Sequence, residues 1–132
     1  MNLRRQLLAG ILGTALALAG AGCGSSTTGP SDALVNGTWI GTSPERGSTF
    51  TLIITQNGST LTGTWSTNSA GTGTISGTKS GTAIAVNLNG TGGSCSLTYT
   101  GTLQTSLTSI NGTVVPINCN SNTIGTLNLT KS

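Results

Sequence analysis

The sequence has 132 residues, of which five are basic and two acidic, and it contains no histidine. The bases beyond the N-terminal leader, Arg46, Lys79 and Lys131, nearly balance the acids Asp32 and Glu45. Such sparse and balanced charge excludes the clustered basic surface that binds nucleic acid. Without histidine or a pair of carboxylates, the chain also lacks the residues for general acid–base catalysis, a catalytic triad or a metal site. We therefore predict a non-enzymatic protein without cofactor or metal.

The first 22 residues have the order of a secretory signal. Arg4 and Arg5 precede an uncharged run at 7–19, and small residues follow this run up to Cys23. We predict that residues 1–22 are a signal peptide with a helical apolar part, which is too short for a stable membrane span. The protein is therefore expected to be exported.

Cys23 and the residues around it resemble the leader of a bacterial lipoprotein. Residues 23–33 are rich in Gly, Ser and Thr and are predicted to form a flexible tether. A lipobox usually has leucine where this chain has Gly20, and an alternative cut after Ala21 would leave Cys23 as a thiol. We favour lipidation of Cys23 because an odd thiol is a liability in an oxidising compartment. The resemblance implies a lipid anchor in the membrane, and Gly24 implies the outer membrane of a Gram-negative cell, with the domain periplasmic or surface-facing.

One short unit recurs from Leu34 onward: a large apolar residue, a spacer, Gly-Thr, and another apolar residue. It occurs at 35–39, 61–65, 99–103 and 110–114. Alternate residues of a strand share a face, so the apolar residues and glycines fall on one side and the threonines on the other. The threonine rows also suggest a hydroxyl array for ice or polysaccharide, but their spacing drifts where such solenoids keep a strict period.

These patterns predict an all-β domain at 34–132, a single small eight-stranded up-and-down antiparallel barrel. The strands are expected at about 35–42, 48–56, 59–66, 72–78, 81–88, 94–104, 107–115 and 123–131. Short links with turn-forming residues favour sequential hairpins, and closure into a barrel removes exposed strand edges. A β-sandwich is the alternative, because the same alternation fits two packed sheets.

The first third of this domain resembles the opening of avidin-type barrels, in GTW at 37–39, GSTFT at 47–51 and LTGTW at 61–65. More broadly, the chain resembles lipocalin-like bacterial lipoproteins, whose eight-stranded barrels often begin with Gly-x-Trp. Biotin binding is not implied, because Gly41 stands where avidins have an asparagine and the later tryptophans of that site are missing. Ser48 alone matches a serine that contacts biotin in avidins.

Two cysteines, Cys95 and Cys119, remain once Cys23 is assigned to the lipid. In an oxidising compartment two such cysteines most simply form a disulfide. The cross-link would stabilise so small a barrel by about 3.5 kcal/mol in the chain-entropy model. A redox or metal role would need a neighbouring histidine or activating base, which the chain lacks.

The functional hypothesis rests on the barrel lumen. Trp39, Phe50, Trp65 and Tyr99 are expected to line it, and an eight-stranded barrel has room for one small ligand, here a largely apolar one. The alternative is that these aromatic side chains fill the lumen as an ordinary core. In that case the protein would be a structural or inhibitory envelope protein that acts through its loops or outer face.

Overall fold

The computed structural model describes residues 33–132, and this part of the chain is all-β. The predicted signal peptide, Cys23 and most of the tether lie outside the described residues. No helix among residues 33–132 has the length and apolar character needed to cross a membrane.

Eight antiparallel strands form a closed barrel in which each strand pairs with the next along the chain. The strands are β1 Gly37–Ser43, β2 Ser48–Asn57, β3 Thr60–Thr67, β4 Thr72–Ser80, β5 Ala83–Gly90, β6 Leu97–Leu103, β7 Ser109–Pro116 and β8 Gly125–Lys131. The barrel closes where β1 pairs with β8, from Trp39 opposite Lys131 to Thr42 opposite Asn128. The predicted up-and-down barrel is therefore confirmed, and the sandwich alternative is wrong.

The alternation of residue types decides which side of each strand is buried. In β2, Phe50, Leu52 and Ile54 point inward and are at most 3% exposed, while Thr51 and Ile53 alternate with them and point outward. The other strands follow the same rule, and the lumen is filled mainly by aliphatic and aromatic side chains; the buried exceptions are Ser43 at the end of β1 and Lys79 on β4. The outward strand positions are occupied mainly by Thr, Ser and Asn, which are compatible with both water and β-structure.

Inward-facing glycines make room for the largest core side chains. Gly101 and Gly112 lie opposite each other on β6 and β7. A Cβ atom on Gly101 would lie 2.7 Å from the Tyr99 hydroxyl, and one on Gly112 would lie 2.7 Å from the Tyr99 ring. Tyr99 therefore fits inside the barrel because both neighbouring positions lack a side chain.

The two ends of the barrel differ. At one end, the closed end, residues 33–36 precede β1 and are tied to β2 instead of extending the first strand. The Val35 N–H donates to Gln56 Oε1 at 2.9 Å, and the Gln56 N–H donates to Asn36 Oδ1 at 2.7 Å. The indole Nε1 of Trp39 donates to the Val35 carbonyl at 2.9 Å, so Val35 is completely buried. The predicted start of the first strand at residue 35 is thus two residues early.

The opposite end, the open end, carries the connections from β1 to β2, β3 to β4, β5 to β6 and β7 to β8, two of which are the longest in the barrel. They are the loops at 44–47, 68–71, 91–96 and 117–124. The predicted sixth and eighth strands extended into two of these loops, because Ser94 to Ser96 and Thr123 to Ile124 continue the sequence pattern of a strand. In the structure β6 begins only at Leu97 and β8 at Gly125; Ser94 Oγ accepts the Thr72 N–H, and the Thr123 carbonyl accepts a hydrogen bond from Arg46.

Candidate functional site

A cavity of about 360 Å³ lies at the open end of the barrel, between the loops at 44–47, 68–71 and 91–96. Its lining is dominated by small and hydroxyl-bearing residues, with three large apolar side chains and one charged one. The lining residues are Arg46, Ser48, Phe50, Trp65, Thr67, Ser69, Ala70, Gly71, Gly92, Gly93, Ser94, Cys95 and Leu97.

The floor of the cavity is aromatic. The rings of Phe50 and Trp65 stack with their centroids 6.2 Å apart and an interplanar angle of 28°. The Trp65 indole Nε1 donates to the Asn89 carbonyl at 3.3 Å, so this tryptophan offers carbon atoms, not a hydrogen-bond donor, to the cavity. Phe50 is 1% exposed and Trp65 4%, which means that only small parts of the two rings reach solvent.

The four predicted lumen residues separate into two pairs. Phe50 and Trp65 line the cavity, whereas Trp39 and Tyr99 do not and are enclosed in the packed part of the barrel. The Tyr99 hydroxyl donates towards the carbonyls of Leu127 at 3.1 Å and Ile110 at 3.4 Å. Burial raises the pKa of the Tyr99 hydroxyl far above its ordinary value, because the phenolate would lose its hydration. The lumen as a whole is therefore core, and the space for a ligand is confined to its open end.

Hydroxyl groups form the rim next to this floor. Ser69 Oγ lies 3.2 Å from Ser48 Oγ and 3.2 Å from Thr67 Oγ1. Thr67 Oγ1 also accepts the Gly71 N–H at 2.9 Å, which tightens the loop between β3 and β4. In that loop Ala70 has a φ of 75°, a backbone conformation that a non-glycine residue adopts only when its surroundings hold it there.

Arg46 is the charged residue of the lining. Its Nη1 donates to the Thr123 carbonyl in the loop between β7 and β8, and its aliphatic part covers Gly125. The neighbouring Glu45 carboxylate instead accepts the Thr126 N–H at 3.0 Å. Hydrogen bonds from the backbone N–H groups of Glu45 and Thr126 hold the pKa of that carboxyl below its ordinary value. The two adjacent charges are thus fixed on different partners.

The predicted disulfide between Cys95 and Cys119 is confirmed, with the two Cα atoms 5.1 Å apart. It joins the loop at 91–96, which lines the cavity, to the loop at 117–124, which holds Arg46 through Thr123. The cross-link therefore fixes two sides of the cavity mouth relative to each other.

The rim residues were missed by sequence reasoning, which looked for a ligand site on the strands and inside the lumen. Ser48 is the exception, because the resemblance to avidins pointed to it. No group of three His, Cys, Asp or Glu side chains within residues 33–132 is arranged to hold a metal ion. The chain matches no protein-family profile, no curated protein and no solved structure. The resemblances to lipoproteins, lipocalin-like barrels and avidins therefore stay predictions.

Proposed function

We propose that this barrel is a non-catalytic binding module that holds one small ligand in the cavity at its open end. The observation that carries the proposal is the combination of an aromatic floor, a hydroxyl rim and a single arginine around about 360 Å³ of space. The volume of this cavity lies within the usual range of small-molecule sites, although its lining is more polar than is typical of them.

The rigidity of the mouth supports binding. Asn68 in the rim loop is bonded to Thr49 twice: its N–H donates to the Thr49 carbonyl at 3.2 Å, and its Oδ1 accepts the Thr49 N–H at 3.0 Å. The disulfide holds the opposite side. A site whose loops are already fixed loses less conformational entropy when a ligand binds, which raises affinity for a given set of contacts.

The chemistry of the lining supports binding over turnover. The Arg46 guanidinium offers hydrogen-bond donors and no acceptor, so it does not supply a base. The Ser and Thr hydroxyls of the rim have no adjacent histidine or carboxylate in the lining to activate them as nucleophiles. We therefore assign this cavity a role in carrying or sensing a ligand.

We also propose that the protein is an envelope lipoprotein anchored through Cys23. Residues 33–36 are attached to the closed end, so the predicted tether from Cys23 would enter the barrel there and not at the cavity mouth. Radiolabelled palmitate should enter the wild-type protein and be lost in Cys23→Ser. If the mature N-terminus is instead Gly22, the alternative cut after Ala21 is correct and the anchor is wrong.

Ligand binding can be tested by NMR, because the two tryptophans report on different parts of the barrel. In a screen of small-molecule fragments, a ligand in the cavity should shift the indole N–H resonance of Trp65 and the amides of Ser69 to Gly71. The indole resonance of Trp39, which is enclosed at the closed end, should stay in place and is the internal control. A screen in which no fragment moves these amides would favour the alternative, a structural or inhibitory protein that acts through its loops or outer face.

A further inference from the structure

We infer that the ligand is a small amphipathic monoanion, such as a carboxylate on a short aromatic or aliphatic group, whose charged head binds Arg46. This inference rests on the proposed function, since it names the chemical class that the same cavity would take. Three features of the open end carry it: the donors of Arg46, the distribution of charge, and the arrangement of the hydroxyl groups.

The Arg46 guanidinium is held in place by one hydrogen bond and has further N–H donors that no described residue engages. One N–H donor is bound to the Thr123 carbonyl, and the aliphatic part of the side chain packs over Gly125, where a Cβ atom would lie 3.1 Å from Arg46 Cγ. No other hydrogen bond or ion pair engages this guanidinium within residues 33–132. The remaining donors form a planar fork, the arrangement that matches the two oxygens of a carboxylate.

The positive charge at the open end has no acidic partner in the cavity. Glu45, the one acid in the sequence between residues 33 and 132, is bound to Thr126. The other two bases, Lys79 and Lys131, lie at the closed end: the Lys79 N–H donates to the Ser59 carbonyl in the β2–β3 turn, and the Lys131 ammonium lies 5.6 Å from the centroid of the Trp39 ring. Glu45 keeps its negative charge in the same loop but lies outside the lining, so Arg46 is the one charged side chain that borders the cavity, and it complements at most a singly charged anion.

The hydroxyl groups of the rim line the same cavity as Arg46 and lie next to its backbone. Ser48 Oγ is 3.3 Å from the Arg46 carbonyl and 3.2 Å from Ser69 Oγ. Hydroxyl hydrogens rotate freely to suit a new acceptor, so these serines can turn towards an anionic oxygen. The indole N–H of Trp65 is already committed to Asn89, which leaves the floor suited to the apolar part of the ligand. The cavity therefore has a polar, cationic side and an apolar base.

Matched pairs of ligands separate the charge from the rest of the molecule. The probes are 3-phenylpropanoate, indole-3-acetate and hexanoate, each compared with its primary amide, which has nearly the same size and no charge. With the mature protein, calorimetric or NMR titration should show each bound carboxylate at least tenfold tighter than its amide. Arg46→Gln should reduce this ratio to near one and leave amide binding almost unchanged. Lys131→Gln, a change of equal charge at the closed end, should preserve the ratio.

The outcomes distinguish the inference from the function on which it rests. If amides and acids bind at the cavity with equal affinity, or if Lys131→Gln lowers the ratio as much as Arg46→Gln, the anion inference is overturned and the binding function stands. If no fragment in the screen shifts a resonance of the cavity residues, the anion inference and the proposed binding function are both wrong. Because Arg46 also packs on Gly125, Arg46→Gln could disturb the fold, and an unshifted Trp39 indole resonance shows that the variant protein is folded. Arg46→Lys, which keeps the positive charge but not the planar pair of donors, should retain part of the preference for carboxylates.

Discussion

Trp39 and Trp65 lie opposite the same residue, Leu52, on the two strands that flank β2, yet they lie towards opposite ends of the barrel. The Trp39 indole donates a hydrogen bond to the Val35 carbonyl at the closed end, and Trp65 forms part of the floor of the cavity at the open end. The strands of a barrel tilt against its axis, so a row of paired residues climbs along the axis from one strand to the next. One row of paired residues therefore runs from the closed end of the barrel to the cavity at its open end.

This difference predicts unequal costs for the same substitution at the two tryptophans. Trp39→Phe should lower the free energy of unfolding by about 2–4 kcal/mol, because it leaves a void in a packed region and removes the hydrogen bond to Val35. Trp65→Phe should cost less, since solvent in the adjacent cavity can fill part of the space. Urea unfolding of both variants measures the two values, and a larger loss at Trp65 would contradict the assignment of ends.

A second prediction concerns pH. Tyr99 is the one tyrosine in the chain, so tyrosinate absorbance reports on it alone. Burial raises its pKa in the folded state above the unfolded value of about 10. Its neutral form therefore supports folding below that pH, and this contribution is lost as the pH rises further, because unfolding then releases the proton. The folded protein should show no tyrosinate at a pH where the urea-unfolded chain has ionised.

The control for this prediction is Tyr99→Phe. Without the phenol, the stability of the protein should no longer fall with the titration of this residue above about pH 10. The substitution should itself cost about 1 kcal/mol through the lost hydrogen bond to Leu127. A tyrosinate signal that rises at the ordinary pKa while the barrel stays folded would show that Tyr99 is not enclosed.

A third prediction compares two glycines that both have positive φ. Gly63 on β3 has a φ of 152°, and a Cβ atom there would lie 1.8 Å from the Ile53 carbonyl oxygen on β2. Gly63→Ala should therefore disrupt the pairing of β2 with β3 and cost more than about 3 kcal/mol. Gly81 in the β4–β5 turn has a φ of 60° and open space around it, so Gly81→Ala should cost only about 1 kcal/mol. Equal losses in thermal or urea unfolding would contradict this account.

The sequence was sufficient for the number of strands and their buried faces, because a period of two is a local property, but it placed the starts of β1, β6 and β8 too early. The alternation of Phe50, Leu52 and Ile54 already determines which face is buried, and a shift by one residue would expose all three. The position of each residue along the barrel axis, in contrast, depends on how all eight strands pair and tilt, and cannot be read from neighbouring residues. Trp39 and Trp65 end the same repeated unit, and nothing in that unit says that one is sealed and the other borders a cavity.

The site was harder to predict for the same reason. Arg46 is held by Thr123, and the rim at Ser69 approaches Ser48, through contacts between loops that are far apart in the sequence. These loops have no periodicity, and their partners are set only when the barrel closes. The disulfide was predictable because a domain that is predicted to be exported contains two cysteines, which leave a single pairing if Cys23 carries the predicted lipid.

The last prediction tests what the disulfide does. Cys95 and Cys119 are 24 residues apart in the sequence, and in the chain-entropy model a cross-link of this span contributes about 3.5 kcal/mol. Replacing both residues with serine should lower the urea midpoint accordingly and leave the barrel folded, because neither residue belongs to a strand.

The effect should be concentrated at the mouth. In the double-serine variant, amide exchange should speed up in the loops at 91–96 and 117–124, while the Trp39 indole resonance at the closed end stays unchanged. Loss of order in the second loop should also release Arg46 from Thr123 and weaken carboxylate binding more than amide binding. If exchange instead accelerates evenly around the barrel, the disulfide stabilises the whole fold and not the mouth, and the role given to it here is wrong.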